Sequence, residues 1–354
     1  MMRGERGQTL VHVALLMVVF LSILAIAIDV GRIYSERRRM QNAADAGALA
    51  GAREICLDPK AYGGDWYAAA FDYAVNRNVA DTADISRDGW TVDVVARTTM
   101  DTTFAKVFGI ATVNVGANAA AACGAAQSAC GLWPIALEEG RFQSLYDHGN
   151  GCGDETPFYV WNGDNPNQQP DCEVCQCDVN EPPDGIEDIL GIEDRTWVDF
   201  SEVVDPHYPD DCAQPGFGAQ ELKCWLEHDS GAMIRLDSCI CGDNGVKAGT
   251  KAAVDSRIGN IVAIPIYDST DCTTEQNCAG QTYHIPYFAC IRVGANGWIQ
   301  NYELYEKADP SQVCWKGNVI EAHIVCDGSC DTNCGSTPGV PPPPWGVWAV
   351  SLIR

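Results

Sequence analysis

The hydrophobic pattern of the chain begins with one long apolar run near the N-terminus. From Leu10 to Ile28, nineteen residues are apolar apart from His12 and Ser22. At a rise of about 1.5 Å per residue, this run makes a helix of roughly 28 Å, about the thickness of the hydrocarbon core of a bilayer. The pattern therefore predicts a transmembrane helix close to the start of the chain.

The helical pattern continues past the apolar run, because no proline or turn cluster interrupts the chain before residue 57. Small and apolar residues recur there at spacings of three and four, which places them on one helix face: Met40, Ala44, Gly47, Ala48, Gly51 and Ile55. Gly47 and Gly51 form a small-xxx-small pair that allows another backbone to approach closely. Residues 10–56 are therefore predicted to form a transmembrane and extended assembly helix. The alternative is an anchor followed by an ordinary Ala-rich amphipathic helix.

A cleaved secretory signal peptide is the other class of apolar N-terminal segment. The run is long for such a peptide, and Asp29-Val30-Gly31-Arg32 lies where an A-x-A cleavage site would fall. We therefore expect the segment to be retained, with residues 1–9 as a cytoplasmic N-terminus. His12 is an ionisable group near the start of the span, so it either has a role in the membrane or extends to the cytoplasmic headgroups.

Residues 57–128 show a mixed pattern that predicts a membrane-proximal α/β unit. Trp66–Val79 has helical spacing, and the segments 89–96 and 111–117 alternate as strands do. A short helix is predicted over Thr102–Phe108. Together these elements indicate a helix packed on a β-hairpin.

From residue 129 to residue 334 the composition changes to Asp, Asn, Pro, Gly and Cys, with short apolar runs. The two predicted helices are Gln220–Glu227 and Thr250–Ile258. The predicted strands are joined by long polar loops: 132–137, 158–161, 197–200, 260–267, 283–293 and 319–326. Residues 335–354 read as a Pro-rich linker and a terminal strand. The predicted fold class is α+β: a long N-terminal transmembrane helix, a helix-hairpin unit and a disulfide-rich, irregular, mainly antiparallel β ectodomain.

Cysteine usage indicates the compartment. The chain has 18 Cys, and seventeen of them lie beyond residue 120, which favours an exported domain with disulfides over a cytosolic one. Zinc and redox chemistry are weaker alternatives, because no second cysteine pair has matching spacing and no strand–helix frame surrounds the densest cluster. The disulfide candidates are Cys56, Cys123, Cys172, Cys175, Cys177, Cys239, Cys241, Cys326, Cys330 and Cys334.

Charge excludes one class of partner and complicates the orientation. Residues 1–40 carry +3 and the whole chain carries −25, so the remainder carries −28. A body this acidic does not bind nucleic acid through phosphates, although it attracts divalent cations. More Arg residues follow the span than precede it, which by the positive-inside rule favours a cytoplasmic C-terminal side. The cysteines argue more strongly for the opposite orientation, with the N-terminus inside and the C-terminal body outside.

No motif in the sequence gives positive support for enzymatic chemistry. The acidic run Asp178–Asp188 has the oxygen-bearing side chains of a calcium loop, but Pro182 and Pro183 fall where the EF-hand template needs a ligand and Gly. His228-Asp229-Ser230-Gly231 lacks the glycines and partners of a serine nucleophile turn. We therefore expect no catalytic site, no small-molecule substrate and no cofactor, with calcium as the one open alternative.

The run IDVGRIYSERRRMQNAADAGALAGA, Ile28–Ala52, resembles the N-terminal signature of the TadE/TadG-like proteins of Flp pilus assembly in tight-adherence (Tad) systems. The resemblance covers about the first 55 residues well. It implies an envelope protein in the cytoplasmic membrane with a short cytoplasmic N-terminus, a large periplasmic or extracellular remainder and other Tad/Flp assembly proteins as partners. The residues assigned to the membrane and assembly helix are Gly7, His12, Asp29, Gly31, Arg32, Gln41, Asn42, Gly47 and Gly51.

The functional hypotheses follow from these features together. The first is a non-enzymatic structural component of a Tad/Flp-type pilus or secretion apparatus. The second is a surface adhesin or ligand-binding ectodomain on a Tad-like anchor, and the third is an exported hydrolase. Cleavage after Gly7 would make His12 the fifth residue, where pilins of the type IV class carry Glu, so a retained anchor is expected rather than a filament subunit.

Overall fold

The computed structural model describes residues 8–57, 65–148, 156–163, 165–179, 185–200, 212, 219–228, 233–243, 249–273, 278, 280–326, 330 and 346–353. The chain divides into two compact units. The first contains residues 1–123 and 350–354, and the second contains residues 124–349.

The first unit begins with one helix of 50 residues, α1 (Gln8–Leu57). Its N-terminal half is apolar and exposed all round: Leu15, Phe20 and Leu24, for example, are 57–68% exposed. Among the described residues this is the one helix whose length and hydropathy suffice to cross a membrane. From Met40 onward the same helix has a buried face of small residues.

That buried face packs on a small α/β layer. The helix α2 (Trp66–Phe71) runs into a π-helical segment, Asp72–Arg77. The strands are β1 (Thr82–Asp88), β2 (Thr91–Asp101) and β3 (Thr112–Ala125), which pair antiparallel in sequence order. The last strand of the chain, β16 (Trp348–Leu352), follows β3 in this sheet.

The core of the first unit consists mainly of alanines and valines. Ala44, Ala48 and Ala52 of α1 lie against Ala70 and Ala74 of the short helical segment and against Val92 and Val94 of β2. Cys56, near the end of α1, is bonded to Cys123 of β3. The predicted helix-hairpin unit therefore exists, with a third strand and β16 added to the predicted hairpin.

The second unit is built on a ten-stranded sheet. Its order is β12-β13-β10-β8-β5-β11-β14-β15-β6-β7, and its pairs are antiparallel except for β11 with β5 and β6 with β7. The strands are β5 (Ile135–Glu138), β6 (Phe158–Trp161), β7 (Ile189–Leu190), β8 (Arg195–Asp199), β10 (Ser238–Asp243), β11 (Ile261–Tyr267), β12 (Ser269–Thr270), β13 (Thr282–Ile285), β14 (Tyr287–Tyr305) and β15 (Val313–Val325).

Smaller elements complete the second unit. β4 (Ser128–Ala129) pairs with β9 (Ile234–Arg235). The helices are α3 (Glu139–His148), α4 (Ala219–Glu227) and α5 (Lys251–Asp255).

Both faces of the ten-stranded sheet are covered, as β11 shows. Val262, Ile264 and Ile266 belong to one buried cluster, whereas Ala263 and Tyr267 belong to another. Since successive side chains of a strand point to opposite faces, a strand covered on both sides has a continuous apolar run. The mixture of helices with mostly antiparallel sheets in the two units confirms the predicted α+β class.

Disulfides cross-link several segments of the second unit. None of the cysteines that the structure describes is free, and Cys130 and Cys326 are disulfide-bonded as well. The bonded pairs are Cys172–Cys177, Cys175–Cys314, Cys212–Cys224, Cys239–Cys272, Cys241–Cys278 and Cys290–Cys330.

Candidate functional site

At the end of the apolar run, α1 forms several hydrogen bonds with a loop of the sheet in the first unit. The connection between β2 and β3, residues 102–111, lies beside α1 at this height and is called here the 102–111 loop. The two oxygens of Asp29 accept hydrogen bonds from three successive backbone N–H groups of this loop. Thr103 donates to Oδ1 at 2.8 Å, and Phe104 and Ala105 donate to Oδ2 at 2.9 and 2.7 Å.

Arg32, one helical turn after Asp29, completes the contact by donating from Nη1 to the hydroxyl of Thr103. Asp29 is only 6% exposed, so its carboxylate is shielded from water in the first unit. We call the set Asp29, Arg32, Thr103, Phe104 and Ala105 the Asp29 clasp. It fixes the 102–111 loop to the helix at the end of the apolar segment.

The local geometry explains why a carboxylate lies here. Ala105–Phe108 forms a 3-10 turn, and the first N–H groups of any helical turn have no partner within the turn itself. A carboxylate accepts several such donors at once, and hydrogen bonds to a charged acceptor are stronger than neutral ones. Asp29 therefore acts as an N-terminal cap supplied by a distant part of the chain.

Four further backbone N–H groups of the loop have acceptors within the loop. Gly109 ends the 3-10 turn at φ 87°, a left-handed conformation that favours glycine. The hydroxyl of Thr102 donates to the carbonyl oxygen of Ile110. The backbone hydrogen bonds are Thr102 N–H to Ala111 O, Val107 N–H to Phe104 O, Gly109 N–H to Lys106 O and Ile110 N–H to Ala105 O, all at 3.0–3.2 Å.

Gly47 and Gly51 allow a close approach, and the neighbour that approaches is the same chain. A Cβ on Gly47 would lie 2.9 Å from the carbonyl oxygen of Ala70 and 3.0 Å from the Cβ of Ala74. A Cβ on Gly51 would lie 3.0 Å from Val92 Cγ1. The small face of the helix at these two glycines is therefore occupied by α2, the π-helical segment and β2 within the first unit.

The remaining candidate site residues of the N-terminal helix lie at different positions along it. Gln41 donates to Asp45 Oδ1 at 2.7 Å and to the carbonyl oxygen of Asn118 at 3.4 Å, so it joins α1 to β3. Asn42 is exposed, and His12 lies in the exposed apolar half. A Cβ on Gly31 would meet nothing within 4 Å. Gly7 lies outside the described residues.

The cysteine clusters form disulfides and show no metal-binding arrangement in the described part of the chain. Cys172, Cys175 and Cys177 are all bonded, as are Cys239 and Cys241. Cys334 lies outside the described residues.

No group of three or more His, Cys, Asp or Glu side chains is placed to hold a metal in the ranges that the structure describes. Asp178 accepts from the N–H of Gly185 and Asp188 from that of Val179, each at 2.8 Å. Both carboxylates are therefore occupied by backbone donors of the described residues. Residues 180–184 of the same acidic run lie outside the described ranges, so calcium binding there stays a hypothesis.

Sequence reasoning found Asp29 and Arg32 but not their partners. Thr103, Phe104 and Ala105 contribute mainly backbone N–H groups, which leave no trace in residue identity. Ala105 is also 76 positions from Asp29. The one local signal is the mostly apolar composition of Phe104–Ile110, which is unusual for a loop between two strands.

One comparison with known proteins gives a match. Residues 7–54 match the family model described as putative Flp pilus-assembly TadE/G-like. No curated protein and no solved structure matches the chain. The resemblance predicted from Ile28–Ala52 is therefore confirmed for the N-terminal segment, and the matched residues include Asp29, Arg32 and both glycines of the packed helix face.

Proposed function

We propose that this chain is a membrane-anchored structural component of a Tad/Flp-type pilus assembly or secretion apparatus, without enzymatic activity of its own. The observation that carries the proposal is the family match over residues 7–54, which coincides with nearly all of α1. The helix has the length and hydropathy of a membrane span. The matched segment therefore contains both the proposed membrane span and Asp29, through which α1 contacts the 102–111 loop.

The proposed orientation places the N-terminus in the cytoplasm and residues 57–354 outside it. Two features support it: the bonded cysteines, which form in oxidising compartments, and the net charge of −28 beyond residue 40. The Arg residues that follow the span argue the other way by count. A long folded domain is translocated largely regardless of such charges, so they do not decide the orientation.

Deleting the gene in its own host tests the assembly role. We expect loss of pili in electron micrographs and loss of pilus-dependent attachment, both restored by the wild-type chain supplied in trans. Normal piliation in the deletion strain would contradict the proposal.

A C-terminal fusion tests the orientation separately. A reporter enzyme that is active only outside the cytoplasm should be active, and thiol titration of the denatured, unreduced chain should find few or no free thiols. An inactive reporter together with eighteen titratable thiols would contradict the orientation.

The second candidate function is a surface adhesin or a ligand-binding ectodomain. It is favoured by one observation: the family match ends at residue 54, whereas the second unit spans residues 124–349. The same deletion strain separates the two candidates. Normal pili with loss of binding to one ligand would favour the adhesin.

A further inference from the structure

We propose that the 102–111 loop enters the bilayer beside α1, with its apolar side chains among the lipid acyl chains of the leaflet nearer the C-terminal body. The loop would then be a second membrane contact of the first unit. This inference rests on membrane anchoring by α1, which is part of the proposed function. It does not depend on any role in pilus assembly.

The loop exposes apolar side chains where a loop in water would carry polar ones. Val107 is 81% exposed, Phe108 77% and Ile110 52%. Phe104 is 38% exposed on the same loop. Four large apolar side chains are therefore exposed within seven residues, and exposed apolar patches on soluble surfaces mark an interaction site.

The patch is continuous with the apolar surface of the membrane span. Phe104, Val107 and Phe108 line a cleft of about 380 Å³ together with Val18, Leu21, Ser22, Leu24 and Ala25 of α1. Ser22, the one polar member, donates its hydroxyl to the carbonyl oxygen of Val18 at 2.8 Å. At about 1.5 Å per residue, Leu21 lies roughly 12 Å along the helix from Asp29, well within the apolar segment.

This position selects lipid as the occupant. If Leu21 and Leu24 are surrounded by acyl chains, the side chains that share a cleft with them lie at the same depth. Water in that cleft would have to wet the surface of the span itself, which costs about 25 cal/mol per Å² of apolar area.

Seven backbone N–H groups of the loop have acceptors within the protein, which suits a medium without water. Irregular backbone is tolerated at membrane depth only where its polar groups are satisfied within the protein, since each unsatisfied group costs several kcal/mol. The N–H groups of Thr103, Phe104 and Ala105 donate to Asp29. Those of Thr102, Val107, Gly109 and Ile110 donate to carbonyl oxygens of the loop. The Asp29 clasp thus supplies the acceptors that a loop in water would obtain from solvent.

The charged groups of this region suit the interface. Lys106 is the one charged side chain in the sequence of residues 102–111, and its side chain is exposed. A lysine stem can lie along apolar surface while its ammonium group reaches the phosphates of the headgroups. Arg32, which donates to the hydroxyl of Thr103, follows the last residue of the apolar run, Ile28, by four positions.

The test places a fluorescent probe on the loop of the full-length protein in lipid nanodiscs. Phe108→Cys is labelled with an environment-sensitive dye and exposed to doxyl-labelled lipids and to aqueous iodide. We expect a blue-shifted emission that mid-chain doxyl lipid quenches at least twofold more than iodide does. Val107→Cys repeats the measurement at a side chain that is 81% exposed, so a folding defect at one position does not remove the test.

Two control positions make the outcomes distinguishable. Asp88→Cys lies at the β1–β2 turn, at the other end of β2 from the loop, and should be quenched by iodide alone. Leu21→Cys reports the anchor itself. If Leu21 is quenched by doxyl lipid while both loop probes are quenched by iodide, the loop inference is overturned and membrane anchoring stands. If Leu21 is also quenched by iodide, anchoring fails first.

Loop probes shielded from both quenchers would assign the patch to a second protein copy and would likewise overturn the inference. Intact mass before and after reduction verifies the Cys56–Cys123 bond in every variant.

Discussion

The carboxylate of Asp29 accepts the backbone N–H of Ala105 at 2.7 Å, across 76 positions of sequence. This bond and its two neighbours connect the end of the apolar run to the 102–111 loop between β2 and β3. The helix α1 and the sheet of the first unit are therefore joined by a polar contact in addition to the alanine-rich core. Asp29 also lies within the segment that matches the family model.

Replacing Asp29 with Ala should release the 102–111 loop. Hydrogen bonds to a charged acceptor contribute about 1.5–3 kcal/mol, and their loss should speed amide exchange of Thr103, Phe104 and Ala105 by roughly 10- to 100-fold. Hydrogen-exchange mass spectrometry on the full-length protein in detergent measures this. Asp29→Asn keeps one acceptor oxygen and should have a smaller effect.

Asp88→Ala is the matched control, because Asp88 is exposed at the β1–β2 turn. It should leave exchange in the 102–111 loop unchanged. Equal exchange in the Asp29→Ala variant and the wild type would show that the clasp does not hold the loop.

Two glycines of α1 should respond oppositely to alanine. Gly47→Ala forces a methyl group to 2.9 Å from the backbone oxygen of Ala70, and overpacking of this kind costs about 1–3 kcal/mol. Gly31→Ala meets nothing within 4 Å and should gain up to about 1 kcal/mol from helix propensity. Thermal unfolding of the two variants in detergent gives the comparison. A Gly47→Ala variant with the melting temperature of the wild type would contradict the packing described for the helix face.

The disulfide Cys56–Cys123 should contribute more to the free energy of unfolding than a disulfide that closes a short loop. It closes a loop of 67 residues, for which loop-closure entropy gives about 4 kcal/mol. Cys172–Cys177 closes a loop of 5 residues, for which the same relation gives about 2 kcal/mol. Each pair is replaced by two serines, and denaturant unfolding is followed for each variant. Equal losses would argue against loop closure as the source of the stability.

Stability of the second unit should depend on the ionisation of Asp194. Burial raises the pKa of Asp194 above its ordinary 3.8, and Glu138 and Glu187 add to the rise, while the N–H of Gly191 and Arg141 oppose it. A raised folded-state pKa means that the ionised form is a cost at neutral pH, relieved as the pH falls through that pKa. Asp194→Asn should therefore raise the melting temperature at pH 7 and lose its advantage toward pH 4.

Asp309 serves as the control with the opposite sign. The hydroxyl and N–H of Ser311 lower the pKa of Asp309 below 3.8, so its contribution is present above that pH and is lost only as the pH falls through the lowered value. Asp309→Asn should slightly lower the melting temperature at pH 7. A shift of the same sign in both variants would contradict the burial argument for Asp194.

The sequence predicted the elements whose patterns are local and strong. The helix over residues 10–56 has no breaker, and strands such as Ile261–Tyr267 are continuous apolar runs bounded by polar loops. The helix α3 (Glu139–His148) was missed because it buries only Phe142 and Leu145 in ten residues. β1 (Thr82–Asp88) was missed because it is an edge strand with no fully buried residue. Neither pattern differs enough from that of a polar loop.

The predicted strand over residues 283–293 was wrong in its limits. Pro286 separates β13 from β14, and β14 continues to Tyr305 through irregularities in its pairing with β15. Such irregularities depend on the partner strand, which local sequence does not specify. The partner of the small face was beyond local prediction for the same reason. Gly47 and Gly51 indicate close approach, but only tertiary structure shows that the approaching groups are Ala70, Ala74 and Val92.

The location of the chain after mechanical shearing of cells tests the central claim most directly. A protein that is retained in the membrane should stay in the membrane fraction at low copy number when pili are sheared away. Its intact mass should include residues 2–7 or 1–7. Its apolar helix would then remain in the bilayer, with His12 near the cytoplasmic side. Recovery in stoichiometric amounts from sheared filaments, with Gln8 as the N-terminal residue, would contradict the account and identify the chain as a filament subunit.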